Sequence, residues 1–268
     1  MLFDLTLILA NYNLTNKMRL LNKSILPPPK GSTAENVIAF IAKNNKNIRT
    51  FRFCIYNTIA GLDQRTLKML KQDGKDFVAR AFDFRKQYGF DFWDALLTLG
   101  MHEGFLPMKL VKQAAVHPTF ENPNRIIKFT KDRVNETNLL KLLIKLNTNE
   151  ALGLSSIVEI SNNQIMHIPL VDFHCPPNKK NLKFVKAALK EIGEKDGIIL
   201  NSGRSFHYYG FELKPEKEWK KFLGLCLLLS PLVDPRYVAH RLIDGESVLR
   251  IYSNSIKPNV PIVVDYLR

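Results

Sequence analysis

The chain has 268 residues, of which 46% are hydrophobic, and a formal net charge of +14. No apolar run approaches the roughly 20 residues of a membrane-spanning helix, and the start, MLFDLTLILANYN, lacks the basic residues of a signal peptide, so we expect no membrane partner. Three scattered cysteines argue against a disulfide framework and predict a cytoplasmic protein, nucleoid-associated if it is bacterial.

The positive charge is concentrated in the first half of the chain. Residues 1–150 hold 23 Lys and Arg against 13 Asp and Glu, whereas residues 151–268 hold 16 against 12. An excess of this size favours a polyanionic partner, with nucleic acid first and an acidic membrane surface second. A basic protein without such a partner is the alternative.

In chain order, the first half is predicted to be mainly helical. Apolar residues recur three or four positions apart in QRTLKMLKQ, KDFVARAFDFRKQYG and DFWDALLTLGMHEG, between residues 63 and 116. NETNLLKLLIKLN, residues 135–147, predicts a further amphipathic helix that Asn135 caps. We therefore expect residues 1–150 to form a basic, mainly helical region that binds a template or a protein partner.

After residue 150, strand patterns alternate with helical ones. The patterns predict a hairpin over 155–161 and 165–174, a helix over 178–193, strands over 197–203 and 204–213, a helix over 215–230, and strands over 247–254 and 261–267. This order predicts an α+β fold in which an antiparallel or mixed sheet is backed by helices. Residues 151–268 are assigned to a second domain.

Asp172 and His174 lie two positions apart at the end of an apolar strand, in PLVDFHCPP. Alternate residues of a strand share a face, so a carboxylate and an imidazole would lie side by side and could ligate a divalent metal. The alternative is an aspartate that caps a turn, with His174 merely exposed.

SGRSFH, residues 202–207, has the composition of a phosphate site. Gly203 lets the backbone approach a ligand, and Ser202 with the local N–H groups can hold an anionic oxygen. Arg204 offers a bidentate guanidinium, and His207 could fold back over the same anion. The alternative is a β-turn followed by a strand with one polar face.

A third segment, LLLSPLVDPRYVAHRLIDGESVLRIYSN, combines an aspartate with arginines. Asp234 ends an apolar run, and Arg241 and Arg250 follow, the second inside a strand pattern. A charged residue within a strand needs a partner or an exposed face. A helix-to-strand connection with solvated charges is the alternative, and the acids Asp244 and Glu246 fit it.

Together the three segments resemble the motifs of the archaeo-eukaryotic primase superfamily, which includes primase small subunits and primase-polymerases. VDFH stands at its Asp-x-Asp or Asp-x-Glu motif, and SGRSFH at its Ser-Gly-Arg-x-x-His motif. The segment from Asp234 through the arginine-bearing strand to the basic turn is similar to its third motif. The resemblance covers about residues 155–268.

The resemblance implies a primase-type, RRM-like catalytic core that transfers nucleotides with divalent metals. The implied catalytic and metal-ligating residues are Asp172, His174 and Asp234. The implied nucleotide-binding residues are Ser202, Gly203, Arg204, His207, Arg250 and Lys257.

His174 stands where the family has its second acid. Because imidazole suits Mn²⁺ better than Mg²⁺, the predicted cofactor is Mn²⁺ or Mg²⁺, with Mn²⁺ favoured. No Cys and His residues have zinc-site spacing, so no structural zinc is expected.

The predicted activity is the synthesis or extension of short primers from nucleoside triphosphates on a single-stranded DNA or RNA template. A helicase, or another replication or defence subunit, is a further predicted partner. Two alternatives stay open: a primase-like module that binds nucleotide or nucleic acid without polymerising, and an unrelated basic nucleic-acid-binding protein.

Overall fold

The structure, a computed structural model of the chain, describes residues 26–57, 68, 70–115, 125–147, 149–254 and 257–268. The described residues form eight α-helices: α1 Ala34–Asn44, α2 Gln72–Tyr88, α3 Phe92–Glu103, α4 Met108–Ala115, α5 Glu136–Leu143, α6 Lys179–Glu191, α7 Glu216–Leu228 and α8 Pro235–Asp244. None of these helices has the length and apolar character needed to cross a bilayer.

The same residues form nine strands in two antiparallel sheets. The strands are β1 Ile48–Asn57, β2 Arg125–Thr130, β3 Glu150–Ile160, β4 Ile165–His167, β5 Leu170–Asp172, β6 Gly197–Asn201, β7 Phe206–Gly210, β8 Val248–Arg250 and β9 Ile262–Leu267. The first sheet has the order β2-β1-β3-β4, with β8 also paired to β3, and the second has the order β5-β7-β6-β9. The predicted α+β class is confirmed, and its helical first half is present as α1–α5.

The period-two alternation of the second sheet divides its residues between two cores. Leu200 and Tyr209 face the core that the second sheet shares with the first sheet and α1. Ile199 and Tyr208 face the opposite core, which α6 and α7 cover. The second sheet is therefore covered on both faces.

Two strands in the first half, β1 and β2, are absent from the sequence prediction. β1 pairs with β3 from Ile48 opposite Ile160 to Asn57 opposite Glu150, so the first sheet joins strands from both sides of residue 150. The division into 1–150 and 151–268 stays a prediction. The helix predicted at QRTLKMLKQ lies largely outside the described residues.

The single strand predicted over 165–174 consists of two short strands. β4 pairs with β3 in the first sheet, whereas β5 pairs with β7 in the second. Pro169 lies between them and has no N–H to donate to a ladder. The chain thus passes from one sheet to the other immediately before Asp172.

The segment before α1 is attached to β9. The Gly31 N–H donates to the Val263 carbonyl and the Val263 N–H donates to the Ser32 carbonyl, each at 2.8 Å. On the same strand, Asp265 forms an ion pair with Lys30 at 3.1 Å. Residues near position 30 therefore depend on β9 for their backbone partners.

His167, at the end of β4, is buried against α7. Its ring stacks on Trp219 with centroids 4.3 Å apart, and its Nδ1 lies 3.1 Å from Ser156 Oγ. Burial lowers the pKa of His167 to about 4, so the folded protein holds this ring neutral.

His167 is expected to make stability depend on pH. The free energy of unfolding is expected to be highest above about pH 6.5, the pKa of histidine in the unfolded chain. It should fall as the pH drops towards 4, because in that range only the unfolded chain accepts the proton. The loss is at most about 3 kcal/mol. Chemical denaturation at pH 7 and 4.5 should show a smaller stability difference for His167→Asn than for the wild type, and equal differences would contradict the assignment.

Candidate functional site

Asp172 and His207 form a polar pair at the end of the second sheet. Asp172 ends β5 and lies directly opposite His207 of β7. Asp172 Oδ1 is 3.6 Å from His207 Nε2 and accepts a hydrogen bond of 2.9 Å from Ser205 Oγ. The sheet thus brings together a carboxylate, an imidazole and a hydroxyl.

The His207 ring is a buried, neutral group. Its side chain is 3% exposed, and among the described residues its Nδ1 has no hydrogen-bond partner. Burial lowers the pKa of His207 to about 4; Asp172 opposes this shift, whereas Arg250 and Lys257 add to it. His207 therefore contributes hydrogen bonding at neutral pH, and the positive charge comes from its neighbours.

The loop between β6 and β7 is a tight turn. The Ser202 N–H donates to the Ser205 carbonyl at 2.9 Å, and the Gly203 N–H donates to Asn201 Oδ1 at 2.8 Å. Gly203 has φ +101°, and a Cβ at this position would lie 2.5 Å from Asn259 Nδ2. Arg204 is exposed at the tip of the loop. The turn therefore requires glycine and presents the guanidinium to solvent.

Arg250 fixes the backbone of this loop through hydrogen bonds. Its Nη2 donates to the Ser202 carbonyl at 3.0 Å, and its Nη1 donates to the Asn259 carbonyl at 2.8 Å and to the Tyr252 carbonyl. Burial lowers its pKa. Arg250 is thus a positioning residue for the loop, and its direct contact with a phosphate stays a prediction.

Lys257 follows β8 in the chain by seven residues. Its side chain is exposed, and its backbone N–H donates to Asn254 Oδ1 at 2.7 Å. Because its charge lowers the pKa of His207, the ammonium group acts on the same end of the sheet as the loop.

Backbone contacts bring His174 and Asp234 together. The His174 N–H donates to the Leu232 carbonyl at 2.7 Å, and Phe173 forms an isolated bridge with Val233. Asp234 then caps α8 by accepting a hydrogen bond of 2.8 Å from the Arg236 N–H. Both predicted ligands therefore lie on segments with fixed backbones.

Asp91 completes a cluster with these two residues. It is the N-cap residue of α3, and its Oδ2 lies 3.4 Å from His174 Nε2. One donor atom from each of Asp91, His174 and Asp234 lies within 4.8 Å of the others. Two carboxylates and an imidazole, all partly or fully exposed, fit a divalent cation such as Mn²⁺.

The pKa of Asp94, on the first turn of α3, is affected by the charges around this cluster. Burial raises this pKa, and the carboxylates of Asp91 and Asp234 raise it further, whereas Arg236 and His174 lower it. Three carboxylates therefore lie close enough to repel one another here, next to the positive charge of Arg236. A bound cation would relieve this repulsion.

The three predicted metal ligands do not lie in one cluster. Among the described residues, the cluster contains His174 and Asp234 but not Asp172, which contacts Ser205 and His207 instead. The metal role of Asp172 stays a prediction. Sequence reasoning missed Asp91 because an aspartate before a helix is an ordinary N-cap signal.

Residues 130–262 match the model of a family described as AEP-like, archaeo-eukaryotic primase 1D-like. This match supports the predicted resemblance of the region to the archaeo-eukaryotic primase superfamily, whose members typically use divalent metals. The match includes every predicted site residue and excludes Asp91. No curated protein and no solved structure matches the chain significantly.

Replacing Gly203 by alanine is expected to distort the loop. The change forces a side chain into positive φ and against Asn259, a strain of about 1–3 kcal/mol. Gly224→Ala in α7 is the matched control, because its added Cβ meets no atom within 4 Å, so alanine should be neutral or stabilising there. Thermal unfolding of both variants measures the difference, and equal melting temperatures would contradict the tight packing.

Proposed function

We propose that the protein is a primase-type nucleotidyltransferase that makes or extends short nucleic-acid strands from nucleoside triphosphates on a single-stranded template. The observation that carries this proposal is the family match over residues 130–262, which covers both the 202–207 loop and the Asp234 segment. DNA-directed synthesis, a role in replication and a preference for Mn²⁺ are parts of the same proposal.

The 202–207 loop would hold the triphosphate. Arg204 offers an exposed fork of donors that matches phosphate oxygens. Lys257 adds a second positive charge, and Arg250 fixes the loop backbone through the Ser202 carbonyl. The buried, neutral His207 would orient the bound group without adding charge of its own.

The second cluster would hold the divalent ion through Asp91, His174 and Asp234. When bound, the ion would supply electrostatic stabilisation of the negative charge on the phosphates. The protein's own contribution is to fix two of these side chains through the Leu232 and Arg236 backbone contacts. Asp172 would lie between this cluster and the loop, held by Ser205.

A second candidate is a primase-like module that binds nucleotide without polymerising. It is favoured by His174, which replaces a carboxylate, and by Asp172, whose Oδ1 is already bound to Ser205. Magnesium prefers oxygen ligands, so a site with fewer free carboxylates suits Mg²⁺ less well. Primer extension on a single-stranded template separates the two candidates.

The metal cluster is tested through Asp91 and His174. Asp91→Asn should lower Mn²⁺ affinity by at least about tenfold, since changes even outside the ligand shell have effects of this size. His174→Asp should raise Mg²⁺-supported primer extension relative to Mn²⁺-supported extension, because it restores a carboxylate. Mn²⁺ titration by electron paramagnetic resonance and metal-dependent extension assays measure both effects.

The control for the metal experiment is Asp83→Asn, an exposed position on α2. It should leave Mn²⁺ affinity unchanged. If Asp91→Asn binds Mn²⁺ like this control, the cluster is not the metal site. An identical metal preference in the wild type, His174→Asp and His174→Ala would remove His174 from it.

The triphosphate role is tested by comparing two arginines. Arg204→Ala should weaken nucleotide binding by about 1.5–3 kcal/mol, the range for hydrogen bonds to charged groups, and should leave the melting temperature nearly unchanged because the side chain is exposed. Arg250→Ala should lower the melting temperature, because it leaves three backbone carbonyls without their donor. Calorimetric titration with a nucleoside triphosphate and thermal unfolding separate the roles, and unchanged affinity in folded Arg204→Ala counts against the loop.

A further inference from the structure

Helix α6 carries a row of lysines along one side. Lys179, Lys183, Lys186 and Lys190 recur four, three and four positions apart, a spacing that places them on one stripe of a helix. The side that packs into the core holds Val185 and Leu189, which are fully buried. The lysine row therefore lies away from the hydrophobic contacts that hold α6 in place.

The charge order of α6 is unfavourable for the helix itself. Its first turn contains Lys179 and Lys180 and no acidic residue, and its acid, Glu191, lies at the last position. A helix dipole favours the reverse order, and like charges three or four residues apart repel. Lys186 differs from the rest of the row, because it forms an ion pair with Asp265 at 2.7 Å. Apart from this ion pair, the lysine row does not stabilise the helix.

The row begins close to the metal cluster. Lys179 follows His174 by five residues, a chain length of at most about 17 Å. From Lys179 to Lys190 the helix extends for about 16 Å, a length over which a nucleic-acid strand presents successive phosphates. A strand that leaves the cluster can thus follow the helix.

An aromatic ring lies among these lysines. Phe184 is 59% exposed and is the single large apolar side chain exposed on α6. It follows Lys183 directly and lies one turn after Lys180. One exposed aromatic ring among lysines suits the bases of an unpaired strand, whereas binding in a membrane interface requires a broad apolar face.

We propose that the α6 face, formed by Lys179, Lys180, Lys183, Phe184 and Lys190, binds single-stranded nucleic acid, with the lysines on phosphates and Phe184 against a base. That this strand is the template rests on the proposed function. Binding itself requires neither nucleotide nor metal.

The test measures binding of the full chain to fluorescent oligo-dT and oligo-U at several salt concentrations, without nucleotide or divalent metal. The triple variant Lys179→Gln, Lys180→Gln, Lys183→Gln should lower the slope of log affinity against log salt by about 2, since each phosphate contact on a single strand contributes about 0.7. Phe184→Ala should weaken binding at least about fivefold with little change in slope.

The matched control is the double variant Lys217→Gln, Lys221→Gln, which removes exposed lysines from α7. It should retain the wild-type slope. Thermal unfolding should show the triple variant to be at least as stable as the wild type, because the change removes repulsion within α6.

Three results would overturn the proposal: a wild-type slope in the triple variant, equal losses in the triple and control variants, or α6-dependent binding to phosphatidylserine vesicles without binding to oligonucleotides. The assay involves no synthesis. A failure of primer extension therefore leaves the α6 proposal standing, and an unchanged salt slope leaves the proposed chemistry standing.

Discussion

The buried guanidinium of Arg250 is the constraint on which the candidate site depends. Arg250 ends β8 of the first sheet, yet it donates to the carbonyl of Ser202 in a loop of the second sheet, and to that of Asn259. A buried charge is costly unless hydrogen bonds compensate for its lost hydration. These carbonyls provide that compensation, and they fix the turn in which Gly203 contacts Asn259 and Ser205 reaches Asp172.

The polar groups of the site form two clusters on either side of the end of β5. Asp172 belongs to the cluster around the buried His207, and His174, two residues later, belongs to the exposed one. The exposed cluster also includes Asp91 from the helical first half, and Arg236 reinforces this link by donating to the Ala114 carbonyl of α4. The first half of the chain therefore contributes Asp91 to this candidate cluster, and α4 is hydrogen-bonded to α8.

Periodicity in the sequence was sufficient for α2, α3, α5, α6 and α7 and for the α+β class, whereas α1 and α8 were not predicted. α5 begins where Asn135 was expected to cap it, with a hydrogen bond of 2.9 Å from the Asn138 N–H. The failures concern contacts between distant segments. Nothing near Asp91 indicates a partner 83 positions away, and an arginine in a strand pattern does not reveal whether it binds phosphate or, as Arg250 does, backbone carbonyls. Strand β1 was overlooked although Phe51 and Phe53 alternate with polar residues.

The hydrogen bonds between the segment around Gly31 and β9 have a consequence for biosynthesis. Roughly 230 residues separate these partners, and at 5–20 residues per second a ribosome needs about 10–50 s to add them. During that interval the 30–34 segment lacks its native backbone partners, and the fully buried Val37 and Ile38 of α1 lack part of the core that covers them. Contacts so far apart in sequence slow folding, so the nascent chain passes through a period in which chaperones have apolar surface to bind.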